Sequence, residues 1–170
     1  MERIEPEWLT LSSPVTLWVD LSAPTEEELR ILSDVFAFHP LAVEDARSAL
    51  QYPKVEPYPG YLYLVLHGID LKKGKSQFAP RDVDFFLGRN YLVTVHHEKS
   101  RSIEAERTVC MRHPELFADG PLGLCHRIVD QMVDHYRPEI DGLEERAERL
   151  ERAVFNARKN PSRDLLALKH

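Results

Sequence analysis

Three closely spaced prolines, Pro53, Pro57 and Pro59, divide a helical stretch from an extended one, and the rest of the chain must be arranged around that break. Before them, His39-Pro40-Leu41-Ala42-Val43-Glu44-Asp45-Ala46-Arg47 reads as a short helix. Pro40 suits its first turn, where a missing N–H costs nothing. Leu41, Val43 and Ala49 are expected to pack inward, and Glu44 and Asp45 then diverge by about 100° on one turn. Proline forbids helix and pushes the preceding residue towards extended backbone, so Pro53 to Gly60 is expected to form a pinned loop. From Tyr61 to Leu66 both alternating sets of residues are apolar, the pattern of a strand covered on both faces.

The segments on either side alternate in the same way. Val15 to Leu21 is rich in β-formers and reads as a strand. Thr25-x-x-Glu28 is a capping box, and Leu29, Leu32 and Phe36 continue it as the apolar face of a helix. Lys72 to Ser76, with Gly74, reads as a polar turn. Val83 to Leu87 and Tyr91 to His96 are strand-like, with Gly88-Arg89-Asn90 as the turn of a hairpin. Ser100 to His113 reads as a helix, and Pro114 with Gly120-Pro121 bounds a loop. From about Leu122, residues Ile128, Met132, Tyr136, Ile140, Leu143, Ala147, Leu150 and Val154 form a near-heptad stripe suited to packing on another helix. Pro138 should kink or split that helix. Asn156 to Ser162 reads as a turn, and Arg163 to His170 as the start of a further helix. Alternating strands and helices followed by helices alone predict a layered α/β domain, with a mixed sheet and helices on both faces.

Charge and composition exclude several functions. There are 28 acidic and 22 basic residues, a formal charge of −6. That is the wrong sign for a nucleic-acid binder, which needs a basic face. Cys110 and Cys125 form no Cys-x-x-Cys pair, so neither a zinc ribbon nor a redox motif is present. No stretch of about 18 apolar residues occurs, so the sequence contains no membrane-spanning segment of its own. Phosphate-binding loops, His-Glu-x-x-His and Gly-x-Ser-x-Gly are absent, and nothing in the sequence asks for an enzyme.

His39-Pro40-Leu41, Glu44-Asp45, Gln51, Pro53-Lys54-Val55-Glu56 and the aromatic-aliphatic strand after them resemble the cytoplasmic domain of the CorA family of divalent-cation transporters. The segments from Asp84 to His96 and from Ile128 to Tyr136 match in order and spacing. The resemblance implies an α/β/α sandwich with a mixed central sheet, followed by a long helical segment that begins a stalk. On this division residues 1–120 form the α/β core, and residues 121–170 are helices that pack on it and lead to the stalk. Family transporters continue into two membrane helices with a Gly-Met-Asn motif, which this sequence does not contain. The resemblance thus implies a piece of an integral membrane protein, pentameric when complete, lying at the cytoplasmic face of the membrane and ending within the stalk.

The resemblance also implies site residues. The acidic pair Glu44 and Asp45 lies at a subunit interface in the family and contributes to regulatory cation sites. The second carboxylate for Asp45 comes from a neighbour's stalk helix, beyond residue 170. Asp130 aligns with an aspartate that shares a second site with the equivalent of Glu44. Hard Mg²⁺ takes oxygen ligands and keeps several waters, so one or two carboxylates suffice; Co²⁺ and Zn²⁺ are the other candidates. The residues alone allow a plainer reading, in which all three are solvated helix carboxylates. His126, Asp130 and Asp134 fall on one helix face, which is then simply the wet side opposite the stripe. The expected function is a cation-sensing domain of a Mg²⁺/Co²⁺ transporter, gated by divalent ions bridging subunits. One alternative is the corresponding domain of a zinc transporter. Another, of a different class, is a soluble metalloenzyme using His67, His96 and Glu98, since imidazoles with a carboxylate suit Zn²⁺. His96 and His97, being successive on a strand, should point to opposite faces.

Overall fold

The structure, a computed structural model, describes residues 4–10, 12–48, 51–71 and 78–155. Five strands form one mixed sheet in the order β1-β5-β4-β3-β2. They are β1 (Leu17–Ser22), β2 (Lys54–Tyr58), β3 (Tyr61–Leu71), β4 (Phe78–Gly88) and β5 (Tyr91–His96). β1 runs parallel to β5, and the other pairs are antiparallel.

Two apolar layers clamp this sheet. On one face α1 (Glu26–Asp34) and α2 (Pro40–Arg47) bury Leu29, Leu32, Ala42, Val43 and Ala46 against Leu21, Tyr63, Val65, Phe86, Val93 and Val95. On the other, α3 (Arg101–Arg112) and α4 (Gly120–Asp134) bury Ile103, Cys110, Leu124, Cys125, Ile128 and Met132 against Val83, Phe85 and Leu92. The sandwich therefore has helices on both sides of a mixed sheet, as its alternating sequence predicts. A 3-10 turn at Pro6–Leu9 precedes β1, and another at Pro114–Asp119 leads into α4.

The local signals work through identifiable atoms. Thr25 Oγ1 accepts from the Glu28 N–H while the Glu28 carboxylate accepts from the Thr25 N–H, so the capping box is closed in both directions. The chain leaves α1 through Ala37 at φ 52°, a left-handed exit that glycine more often supplies. It returns Phe38 to the core, where its ring stacks 4.3 Å from Phe86. Pro138 splits the last helical segment: α4 ends at Asp134, and α5 (Arg137–Phe155) restarts with Pro138 in its first turn.

Several expectations need correcting. The proline-rich stretch is not a loop throughout, because Lys54–Tyr58 pairs with β3 as a fifth strand. β2 lies at the sheet edge, where the missing N–H of Pro57 leaves no ladder bond unmade. Leu41 does not pack inward but stands 58% exposed, and Ala42, Val43 and Ala46 form the buried face. β3 and β4 are longer than the apolar runs that announced them. The region after Pro114 contains a 3-10 turn, and α4 begins at Gly120 with Pro121 in its first turn. The stripe on α4 is buried at Ile128 and Met132, but on α5 Ile140 is 51% exposed. Ala49, the polar turn at Lys72 to Ser76 and the segment from Asn156 to His170 lie outside the described residues. Among the described residues no helix is long and apolar enough to cross a membrane.

The β4–β5 hairpin turns at Arg89-Asn90, with Leu87 opposite Leu92. Gly88 is required here by space. A Cβ at this position would lie 2.2 Å from the Tyr91 ring, which is itself held against Phe36 at 5.1 Å. Gly88→Ala should therefore cost about 1–3 kcal/mol, the usual penalty of overpacking, in urea denaturation. Combining it with Tyr91→Ala should cost much less than the sum of the two single changes.

Candidate functional site

α2 is placed so that one side of it overhangs the edge of the sheet. His39 caps it, with Nδ1 accepting from the Leu41 N–H at 3.3 Å, and the His39 N–H donates to the Tyr61 hydroxyl at 2.9 Å. With Ala42, Val43 and Ala46 turned to the sheet, Glu44 faces solvent and Asp45 is half-buried at the margin beside β2. β2 then presents Lys54, Glu56 and Tyr58 on its inner side, because alternate residues share a strand face.

The result is one connected polar cluster. Lys54 Nζ donates to Asp45 Oδ2 at 2.5 Å and to Glu56 Oε1 at 3.1 Å. The Tyr58 hydroxyl donates to Glu56 Oε2 at 3.1 Å. The ammonium also lies 5.3 Å from the centre of the Tyr63 ring, within cation–π range. Burial alone would lower the Lys54 pKa, but its hydrogen bonds to Asp45 and Glu56 outweigh that and raise it. Deeper in, the Tyr63 hydroxyl donates to Asp84 Oδ1 at 2.5 Å. Burial pushes the Asp84 carboxyl up to about 6, even though the Tyr63 hydrogen bond opposes the shift.

Sequence reasoning named Asp45 but gave no role to Lys54 or Glu56. The signal was available in the spacing of Lys54, Glu56 and Tyr58 at every second position of an extended segment. That these residues meet Asp45, on another element, was not.

The other candidates are placed apart from this cluster. Asp130 is exposed on α4, as are His126 and Asp134. Because α4 and α2 cover opposite faces of the sheet, one copy of the chain does not bring Glu44 and Asp130 together. Among the described residues no group of three or more His, Cys, Asp or Glu side chains is arranged to hold a metal ion. Glu44, Asp45 and Asp130 offer the oxygen donors that a hard cation takes, but as a partial ligand set.

The histidine arrangement does not form. His67 shares its strand face with Tyr63 and Val65, and its Nε2 lies 2.6 Å from the Gln51 carbonyl and 3.1 Å from Asp82 Oδ1. His96 lies on the opposite face. Its Nε2 meets Asp20 Oδ1 at 3.1 Å and its Nδ1 meets the Glu98 carbonyl at 2.6 Å, while the Glu98 carboxylate pairs with Arg81 at 2.6 Å. With the sheet between them, His67 and His96 share no ion. His97 turns the other way from His96, towards the Ala46 carbonyl at 3.1 Å, as strand alternation requires. Burial raises the pKa of both thiols, Cys125 to about 11, so neither is a ready nucleophile.

Comparison with known proteins agrees with this architecture. The family model described as CorA-like Mg²⁺ transporter protein matches residues 14–170. YfjQ of Bacillus subtilis is 34% identical over 134 residues, covering 79% of this chain and 41% of that protein. The magnesium transporter ALR1 of Saccharomyces cerevisiae is 30% identical over 145 residues, covering 84% of this chain and 17% of that protein. The soluble domain of CorA from Methanocaldococcus jannaschii superposes with a TM-score of 0.71 at 19% identity, covering 89% of this chain and 61% of that one. The chain thus spans less than half the length of these two sequence relatives.

Proposed function

This chain belongs to the CorA-like Mg²⁺ transporter family, and from that premise we propose that it is the cytoplasmic, cation-sensing domain of a divalent-cation transport protein. In this reading the complete protein is a homopentamer in the cell membrane. Residues 1–120 form the sensing core, and residues 121–170 carry the chain towards the stalk. Divalent ions bridge carboxylates of adjacent copies and hold a closed assembly; when they leave, repulsion between the carboxylates releases it. The scheme requires the metal to bind the closed state more tightly than the open one. The domain performs no chemistry on a substrate.

The observation that carries this reading is the placement of the acidic residues. Glu44 and Asp45 leave α2 in different directions, and Asp130 projects from the far side of the sheet. Three carboxylates on separate surfaces of one copy are poor as a site within that copy. They are well placed to meet complementary groups on its neighbours in a ring. Asp45 serves one such contact, and Glu44 of one copy with Asp130 of another serves a second. All three supply oxygen, which favours hydrated Mg²⁺, with Co²⁺ able to compete.

The test is Asp45→Ala in the complete transporter, with ion flux measured against internal Mg²⁺. Inhibition by internal Mg²⁺ should weaken by about tenfold in concentration, the scale of an ordinary coupling free energy, while maximal flux is kept. Unchanged sensitivity in that variant, and also in Glu44→Ala with Asp130→Ala, would remove these carboxylates from the mechanism.

A further inference from the structure

We propose that Lys54 is a tethered cation that competes with divalent metal for Asp45, so that metal binds Asp45 only as the ammonium moves over to Glu56. The inference rests on the reading of Asp45 as a cation ligand and adds a device that regulates it.

One ammonium satisfies two carboxylates from different elements, Asp45 of α2 at 2.5 Å and Glu56 of β2 at 3.1 Å. It therefore stands where a cation between them would stand. The two carboxylates are not equivalent in their dependence on it. Glu56 keeps a second donor, the Tyr58 hydroxyl, on its other oxygen. Lys54 and Glu56 are also next neighbours on the same strand face, so their pairing survives movement of α2. The Tyr63 ring offers the displaced ammonium a further favourable surface. Lys54 can thus release Asp45 by a rotation of its own side chain without leaving the cluster.

The site is open enough for exchange. The side chains of Lys54 and Asp45 are 27% and 26% exposed, so a hydrated ion can reach the carboxylate from solvent. The charges make the two occupants exclusive. A dication at Asp45 with the ammonium still in contact would place like charges a few ångströms apart, which neither screening nor the partial burial relieves. Lys54 therefore sets how much cation is needed before Asp45 responds. A lysine that only latched β2 to α2 would affect stability and leave metal affinity alone.

Titration calorimetry of the chain with Mg²⁺ separates these. Lys54→Met removes the charge and keeps the length of the side chain. It should tighten Mg²⁺ binding by about tenfold or more, as expected when a charge-assisted contact no longer has to be broken. Adding Asp45→Asn to it should return affinity to the original value or weaker. Unchanged or weaker binding in Lys54→Met, with Asp45→Asn alone reducing binding, would overturn the competition and leave Asp45 as a ligand. Tightening that persists in Lys54→Met with Asp45→Asn would place the metal elsewhere and overturn both. A readout without substitution guards against a misfolded variant. Acylation of the Lys54 amine in the unaltered chain should quicken as Mg²⁺ is added, and an unchanged rate at Mg²⁺ saturation would also overturn the proposal.

Discussion

Replacing Arg127 with leucine should destabilise the domain by about 3–5 kcal/mol at pH 7, the scale of breaking a buried ion pair from one side. Glu106 on α3 is 1% exposed, and its carboxylate accepts from Arg127 Nε at 2.6 Å and Gln131 Nε2 at 3.0 Å. Arg127 also donates from Nη1 to Asp119 at 2.9 Å and from Nη2 to the Leu116 carbonyl at 3.4 Å. One guanidinium thereby joins α3, α4 and the 3-10 turn between them. Without it, Glu106 keeps the Gln131 amide and the weak Cys110 thiol donor at 3.4 Å, which do not neutralise a buried charge. Urea denaturation at pH 7 tests this, with Glu106→Gln added to Arg127→Leu as the control. If the charge causes the loss, the double variant recovers most of it. A loss below about 1 kcal/mol would class the pair with exposed salt bridges, which contribute little.

The Glu106–Arg127 pair also shows where reading the sequence stops. Arg127 and Glu106 each sit in a plausible amphipathic helix, and neither spacing announces a partner 21 positions away. What was legible was local. Thr25-x-x-Glu28 closed as a capping box, His39-Pro40 started a helix, Arg89-Asn90 turned a hairpin and Pro138 split a helix. Each depends on backbone geometry over a few residues. β2 was missed because its prolines speak against a strand, while the edge position that excuses Pro57 is a property of the whole sheet. The burial phase of α2 was misjudged at Leu41 because eight residues carry little periodicity, and the approach to the sheet decides which face is covered. His67 and His96 looked like partners because alternation is readable within a strand, whereas their opposite faces follow from pairing register. The same limit applies at the candidate site. Glu44 and Asp45 could be named from the motif, but the Lys54 contact and the separation from Asp130 depend on which layer each helix joins. The stripe on α5 showed that a face could pack against a helix, without showing which element would meet it.

Asp84→Asn should stabilise the domain above pH 6 by on the order of 3 kcal/mol and do almost nothing at pH 4. Asp84 is 1% exposed, and burial raises its carboxyl to about 6, helped by the nearby negative charges of Asp82 and Asp45 and opposed by the Tyr63 hydrogen bond and His97. In the unfolded chain the same group titrates at about 3.9. Below that value both states hold the proton, and the folded state loses nothing. Between about 4 and 6 the unfolded chain gives up its proton while the folded chain retains it, so stability falls as pH rises. Above 6 the loss is complete, and asparagine avoids it while still accepting from the Tyr63 hydroxyl. His96 acts in the same direction at higher pH. Both of its ring nitrogens face acceptors, Asp20 and the Glu98 carbonyl, so both need protons. Burial works against its charge, but these contacts and the field of Glu104 raise its pKa, and the stability it contributes is lost as pH climbs through that raised value. Unfolding midpoints should therefore decline from mildly acidic to mildly alkaline pH in the unaltered chain. The advantage of Asp84→Asn should open between pH 4 and 6 and then hold constant, while the decline due to His96 persists in both proteins. An advantage that does not change with pH would mean that Asp84 titrates alike in the folded and unfolded chains, and a disadvantage above pH 4 would mean that Tyr63 and its surroundings stabilise the anion rather than the acid.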